Sequence, residues 1–157
     1  MSKQTTVIDP AQVDARTGSS YPEPYADDCS RREKRALGDI AGLTQYGVNH
    51  VILSPGCWSS QRHWHSHDDE FVYVLSGELV LVTDAGEELM TAGMAAGFPG
   101  GAKDGHHLVN RSGEDAVYLE IGSRNDDDFC SYPDIDLHQE ADGKGDFRFV
   151  HKDGRPY

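Results

Sequence analysis

The feature that most constrains this chain is a series of short β-type runs cut by glycine corners between residues 48 and 121. Residues 48–53 are followed by Ser54-Pro55-Gly56, and residues 70–75 by Ser76-Gly77. Residues 78–83 lead into Asp84-Ala85-Gly86, a good tight hairpin turn, and residues 87–91 into Ala92-Gly93. A turn at Pro99-Gly100-Gly101 precedes residues 106–110, and residues 117–121 end the series. Many short strands at close, regular spacing, with no long helix required between them, predict an all-β barrel or sandwich.

The 157 residues suffice for one well-buried core and not for two. The rest of the chain therefore reads as flanks of residues 48–124. Residues 1–47 form an N-terminal arm with turn formers (Thr17-Gly18-Ser19-Ser20, Tyr21-Pro22-Glu23-Pro24-Tyr25) and no alternation. Within it the charged run 28–37 predicts about two turns of helix, capped by Asp28 or Ser30. Such an arm cannot bury a core alone, so it is expected to pack on the barrel or on a second subunit, and a homodimer is the expected assembly. Residues 125–157 form a polar C-terminal extension in which residues 147–150 predict a last strand. The acidic run Asp126-Asp127-Asp128 reads as solvated surface.

Charge and cysteine usage exclude several classes. The formal charge is −13, and residues 48–124 carry eleven acids against four bases. No clustered Lys or Arg could neutralise the phosphates of nucleic acid or of an anionic membrane. No stretch approaches the ~20 apolar residues that span a bilayer, and Met1-Ser2-Lys3-Gln4-Thr5 lacks the apolar core of a secretory signal. Cys29, Cys57 and Cys130 are odd in number and widely spaced, which predicts reduced thiols and a cytoplasmic protein.

His63, Trp64 and His65 place two imidazoles on one face of a strand, because side chains alternate with a period of two. After the polar turn 66–69, Glu70 opens the next strand, and a hairpin would return its carboxylate to the two imidazoles. A third imidazole comes from His106 or His107, which point to opposite faces. Three imidazoles and a carboxylate form a mixed N/O set suited to one divalent transition metal (Fe, Mn, Ni, Co or Zn). By the same parity Ser59 and Gln61 share the face of His63 and His65. Val72, Val74 and Leu108 share the faces of Glu70 and His106. Lys103 and Asp104, in a loop just before His106, are expected at the mouth of the barrel. His67 lies in the turn and is expected to be exposed. Arg62, on the opposite face from His63, is expected in a salt bridge or a subunit contact.

These residues resemble the two motifs of the cupin family. The first, G-x5-H-x-H-x3,4-E-x6-G, is similar to Gly56, His63, His65, Glu70 and Gly77, with six residues rather than five after Gly56. The second, G-x5-P-x-G-x2-H-x3-N, is similar to Gly93, Pro99, Gly101, His106 and Asn110, with four residues rather than two after Gly101. The resemblance implies a double-stranded β-helix, or jelly-roll barrel, with His63, His65, Glu70 and His106 in the metal-ligand positions. The spacing to Asn110 selects His106 over His107.

The implied function is a small-molecule metalloenzyme of dioxygenase, isomerase or lyase type. The metal would polarise a substrate oxygen, and Glu70 would serve as a base if it shifts on the metal. The alternative is a non-catalytic module in which the metal holds a small organic ligand. A DNA-binding sensor would need a pair of helices that residues 1–47 lack. A purely structural barrel would leave the clustered ligands unexplained.

Overall fold

The architecture comes from a computed structural model that describes residues 7–144 and 146–157. The first six residues of the expected arm and Gly145 lie outside the described residues. Among the described residues, thirteen strands follow in order. β1 (Arg16–Thr17) and β2 (Glu33–Ala36) precede a single helical turn, α1 (Leu37–Ile40). The barrel is built from β3 (Tyr46–Leu53), β4 (Trp64–His65), β5 (Glu70–Ser76), β6 (Glu78–Thr83), β7 (Gly86–Thr91), β8 (Ala95–Phe98), β9 (His107–Val109) and β10 (Ala116–Ser123). The chain ends with β11 (Cys130–Tyr132), β12 (Leu137–Ala141) and β13 (Phe147–Val150).

Three sheets result, ordered β1-β2-β3-β10-β5-β8, β7-β6-β9 and β13-β12-β11-β4. The first two face each other as the walls of an all-β jelly roll. Alternation explains the filling between them. Val51 and Leu53 of β3, Val72 and Val74 of β5, Leu79 and Leu81 of β6, and Ala116 and Tyr118 of β10 are buried together. Each buried Val or Leu contributes roughly 1.5–3 kcal/mol relative to exposure. The intervening Phe71, Tyr73 and Leu75 of β5 point outward and are exposed. Gly77 marks the corner where the chain leaves one wall for the other. Its φ is +74°, and a Cβ there would lie 2.8 Å from the Asp115 carbonyl oxygen, so only glycine fits.

The flanks depart from the sequence expectation. The run 28–37 does not form two turns of helix. It gives one 3₁₀ turn, Asp27–Cys29, and then β2, whose Lys34 pairs with Val51 and Arg35 with His50 of β3. The exposed edge of β3 offers a ladder of backbone partners, and that tertiary pairing outweighs the local helix propensity of a charged run. The extension is likewise more than one strand. β11, β12 and β13 form a meander that docks on β4 through the pairs Cys130–His65 and Ser131–Trp64. Between extension and arm lies a second small core, in which Cys130, Tyr132 and Leu137 pack with Tyr21, Tyr25 and Phe149. Tyr21 meets the Tyr132 ring edge-on at 5.7 Å.

Candidate metal centre

β4 carries His65, with His63 just before it, and the turn 66–69 returns the chain to Glu70 at the start of β5. A backbone bridge joins His63 to His106, with N–H to carbonyl distances of 3.2 and 2.9 Å. The Pro99-Gly100-Gly101 turn closes over this hairpin. Gly101 donates to the His65 carbonyl at 2.9 Å. Gly100 approaches so closely that a Cβ would fall 2.2 Å from the His67 carbonyl oxygen. The motif asparagine, Asn110, is fully buried and bonds the Leu53 and Glu114 carbonyls at 2.7 Å while accepting from Ser112. Its work is to hold the turn after β9, the strand that follows His106.

All three imidazoles converge on one carboxylate oxygen. The Nε2 atoms of His106, His65 and His63 lie 2.7, 3.3 and 3.4 Å from Glu70 Oε2. The outer nitrogens of two rings are already committed. His63 Nδ1 is 2.9 Å from the Gln61 carbonyl oxygen, which can only accept, so Nδ1 carries the proton. His65 Nδ1 is 2.6 Å from Asp128 Oδ2. In a neutral ring this leaves the Nε2 lone pair aimed at a carboxylate oxygen, an arrangement that needs positive charge between the partners. The ring of His106 is set by Phe98, stacked on it at 3.6 Å with an interplanar angle of 1°.

The electrostatics agree. Burial opposes charge on His65, yet its hydrogen bonds to Asp128, Cys130 and Glu70 raise its pKa far above that of a free imidazole. Burial also opposes ionisation of Glu70, but His63 and the hydrogen bonds from all three imidazoles hold it well below the usual carboxylate range. A cavity that favours a proton on His65 and keeps Glu70 ionised is one that a divalent cation satisfies, and the donor set fits such an ion. Among the described residues, His63, Glu70 and His106 form one group close enough to hold an ion, and His65, Asp128 and Cys130 form another.

The remaining expected residues divide. Ser59, Val72 and Leu108 line a small interior cavity of about 20 Å³ together with His63, Glu70 and His106. Val74 shares their face but is fully buried in the core and does not line that cavity. Gln61 also departs from expectation. Its amide donates to the Tyr25 carbonyl and the Asp28 carboxylate of the arm, at 2.9 and 3.1 Å. Asp104 and His106 border a mouth cavity of about 110 Å³ with His65, Trp64 and Phe98. Asp104 also accepts from the Asp84 backbone at 2.8 Å, which pins the loop to the β6–β7 hairpin. Lys103 is exposed, its Nζ 5.9 Å from the centre of the Trp64 ring. His67 is exposed, and Arg62 forms ion pairs with Asp84 and Asp134. His107 donates to the Ser60 carbonyl at 2.9 Å and packs edge-on against Trp58.

Sequence reasoning missed two groups. Asp128 is not solvated surface. It is 3% exposed and gathers hydrogen bonds from His65, Ser66, His67 and Asp68. Its signal was the period-two run Asp128, Cys130, Tyr132, all buried. The second group sits at the far end of the interior cavity, where Tyr118 and Glu120 follow Ala116 on the inward face of β10. Lys34 of β2 reaches Glu120 Oε2 at 2.7 Å, and Asn49 donates to the same oxygen at 3.1 Å.

With the geometry in hand, comparison with known proteins is decisive on family. Residues 49–122 match the cupin domain model. A sugar phosphate isomerase of the cupin superfamily from Silicibacter pomeroyi is 42% identical, with a TM-score of 0.91 and 96% of each chain covered. The chain belongs to the cupin superfamily. This cupin also resembles a protein provisionally described as a sugar phosphate isomerase from Acidithiobacillus ferrooxidans. That pair shows 31% identity and a TM-score of 0.72, over 81% of this chain and 80% of the other. The polyketide cyclase RemF from Streptomyces resistomycificus, at 24% identity and a TM-score of 0.61 over 76% and 79% of the two chains, shares the fold. A search of curated proteins found none that matches the sequence. Among the described residues no helix is long and apolar enough to cross a membrane.

Proposed function

We propose that this cupin is a metal-dependent isomerase acting on a small phosphorylated sugar, with His63, His65, Glu70 and His106 as the ligands of one divalent metal. The observation that carries the reading is the convergence of three Nε2 atoms on Glu70 Oε2 directly beside the mouth cavity. The whole-chain likeness to a sugar phosphate isomerase supports the choice of reaction. Dioxygenase and lyase chemistry gain no comparable support. When bound, the metal supplies a Lewis acid for the carbonyl and hydroxyl oxygens of the substrate.

The chain's own residues do the rest. Aldose–ketose isomerisation moves a proton between adjacent carbons and needs no oxidant or second substrate. Glu70 is kept ionised, and its contacts to the three imidazoles fall on Oε2, so Oε1 is the atom that takes and returns the proton. Trp64 and Phe98 flank the mouth cavity and exclude water from the reacting carbons. On a protein of charge −13, a phosphate needs a local cation to approach. Lys103, held over Trp64 at the mouth and in no ion pair among the described residues, supplies it.

The test combines elemental analysis with NMR of sugar phosphates in deuterated water. Near-stoichiometric metal, with interconversion and solvent deuterium appearing at C1 or C2, is expected for the wild type. A His63→Ala/His106→Ala variant is expected to lose both. Metal bound in the wild type without interconversion or exchange across aldose and ketose phosphates would sink the isomerase reading and leave a metal-assisted binding module. Lys103→Gln should raise KM for the phosphorylated sugar about tenfold, roughly 1.4 kcal/mol, with kcat little changed.

A further inference from the structure

Asp128 lies outside the residues that match the cupin domain, in the extension that follows the barrel. Its carboxylate is buried, and among the described residues its hydrogen-bond partners all lie between His65 and Asp68. Oδ2 meets His65 Nδ1 at 2.6 Å. Oδ1 accepts from the His67 and Asp68 backbones at 2.8 and 3.1 Å and from Ser66 Oγ at 3.1 Å. One oxygen is thus devoted to the imidazole and the other to the turn behind it. β4 is only two residues long, and the carboxylate that meets the outer nitrogen of His65 comes from outside it. Cys130 Sγ also touches His65 Nδ1, at 3.3 Å, but a thiol is a weak partner beside a carboxylate.

We infer that Asp128 is a positioning residue of the metal centre: it holds the Nδ1 proton of His65 so that Nε2 is presented toward Glu70, which makes the C-terminal extension part of the site. This rests on the metal-ligand reading above. A carboxylate behind a ligating imidazole fixes its tautomer and raises its donor strength, and loss of such a partner costs about 10–100-fold in metal affinity.

The experiment uses the full chain with zinc and cobalt as probes, in competition with a chelator, and ¹⁵N NMR of the imidazoles with and without zinc. Asp128→Asn, nearly isosteric, should weaken zinc and cobalt binding about 10–100-fold. Ser66→Ala removes the Ser66 Oγ bonds to Asp128, the Phe129 N–H and His67 without touching His65, and Cys130→Ala removes the thiol; both should stay within about threefold of the wild type. A hydrogen-bonded, downfield Nδ1 proton on His65 should be present in wild-type protein with or without zinc and lost in Asp128→Asn. A merely structural role would leave that resonance in place. Unchanged affinity and resonance in Asp128→Asn, or an equal loss in Ser66→Ala or Cys130→Ala, overturns the inference. If wild-type protein binds neither metal yet shows the Asp128-dependent proton, the ligand reading falls while the positioning of His65 by Asp128 stands.

Discussion

The barrel and its flanks solve different problems with the same kind of strand. Within the barrel each strand buries its own alternate residues: Val72 and Val74 on β5, Leu79 and Leu81 on β6, Val51 and Leu53 on β3. The flanks bury a smaller core of their own, around Tyr132 and Leu137, and in addition deliver single polar groups into a structure made by others. β2 sends Lys34 to Glu120 inside the barrel, and the segment before β11 sends Asp128 to His65. A hydrophobic face is specified by many residues and tolerates loss of one. A polar delivery depends on one residue and fails with it. The flanks should therefore hold the most sensitive non-ligand positions in the molecule.

The largest effect on this comparison is expected from Lys34→Met. The Lys34 and Glu120 side chains are 27% and 22% exposed. Breaking the pair should cost about 2–3 kcal/mol, less than the roughly 3–5 kcal/mol of a fully buried pair. The pH dependence is the sharper readout. In the wild type burial works against ionised Glu120, but the Lys34 charge outweighs it and depresses the folded pKa. That contribution is present above the unfolded carboxylate value and is lost as pH falls through the folded one. In Lys34→Met, burial and the nearby Glu70 charge both push Glu120 upward, so the penalty grows as pH rises from about 4 toward 7. Urea melts at both pH values should show the gap between the two proteins widening with pH. A gap that is constant, or larger in acid, would mean that Lys34 serves the barrel through its aliphatic stem alone.

This contrast also explains what the sequence disclosed. The alternation of 70–75 and 78–83 made the strands of an all-β barrel or sandwich legible, and the jelly roll came from the family resemblance that His63, His65, Glu70 and His106 carry. Lys34 and Asp128 carry no such signal. Asp128 follows the exposed Asp126 and Asp127, Lys34 stands among charged residues of which Arg32 and Arg35 are themselves half-buried, and each role is set by a partner far along the chain, His65 or Glu120. Charge runs look alike in sequence whether they face water or a neighbour. Only the parity of Asp128 with Cys130 and Tyr132, or of Tyr118 with Glu120, pointed inward, and a period of two over three residues is weak in isolation. The pattern of His63, His65, Glu70 and His106 was readable because its two halves reinforce each other. Its supports were not, because each stands alone.

The smallest effect is expected where the sequence sees least difference. Asp126 is two residues from Asp128 in the same acidic run, but it is exposed and does not reach the ligand hairpin. Asp126→Asn should leave stability within about 0.5 kcal/mol and zinc affinity unchanged, as for an ordinary surface substitution. Chemical melts and chelator competition run beside Asp128→Asn would check both. Comparable losses in the two variants would mean that the net negative charge of the run, rather than the hydrogen bond at His65, tunes the centre. That result would remove the distinction between a delivered side chain and a charged surface. A neutral Asp126→Asn beside a weakened Asp128→Asn places the effect at one carboxylate, as expected if burial and geometry, not local charge, decide which aspartate of the run matters.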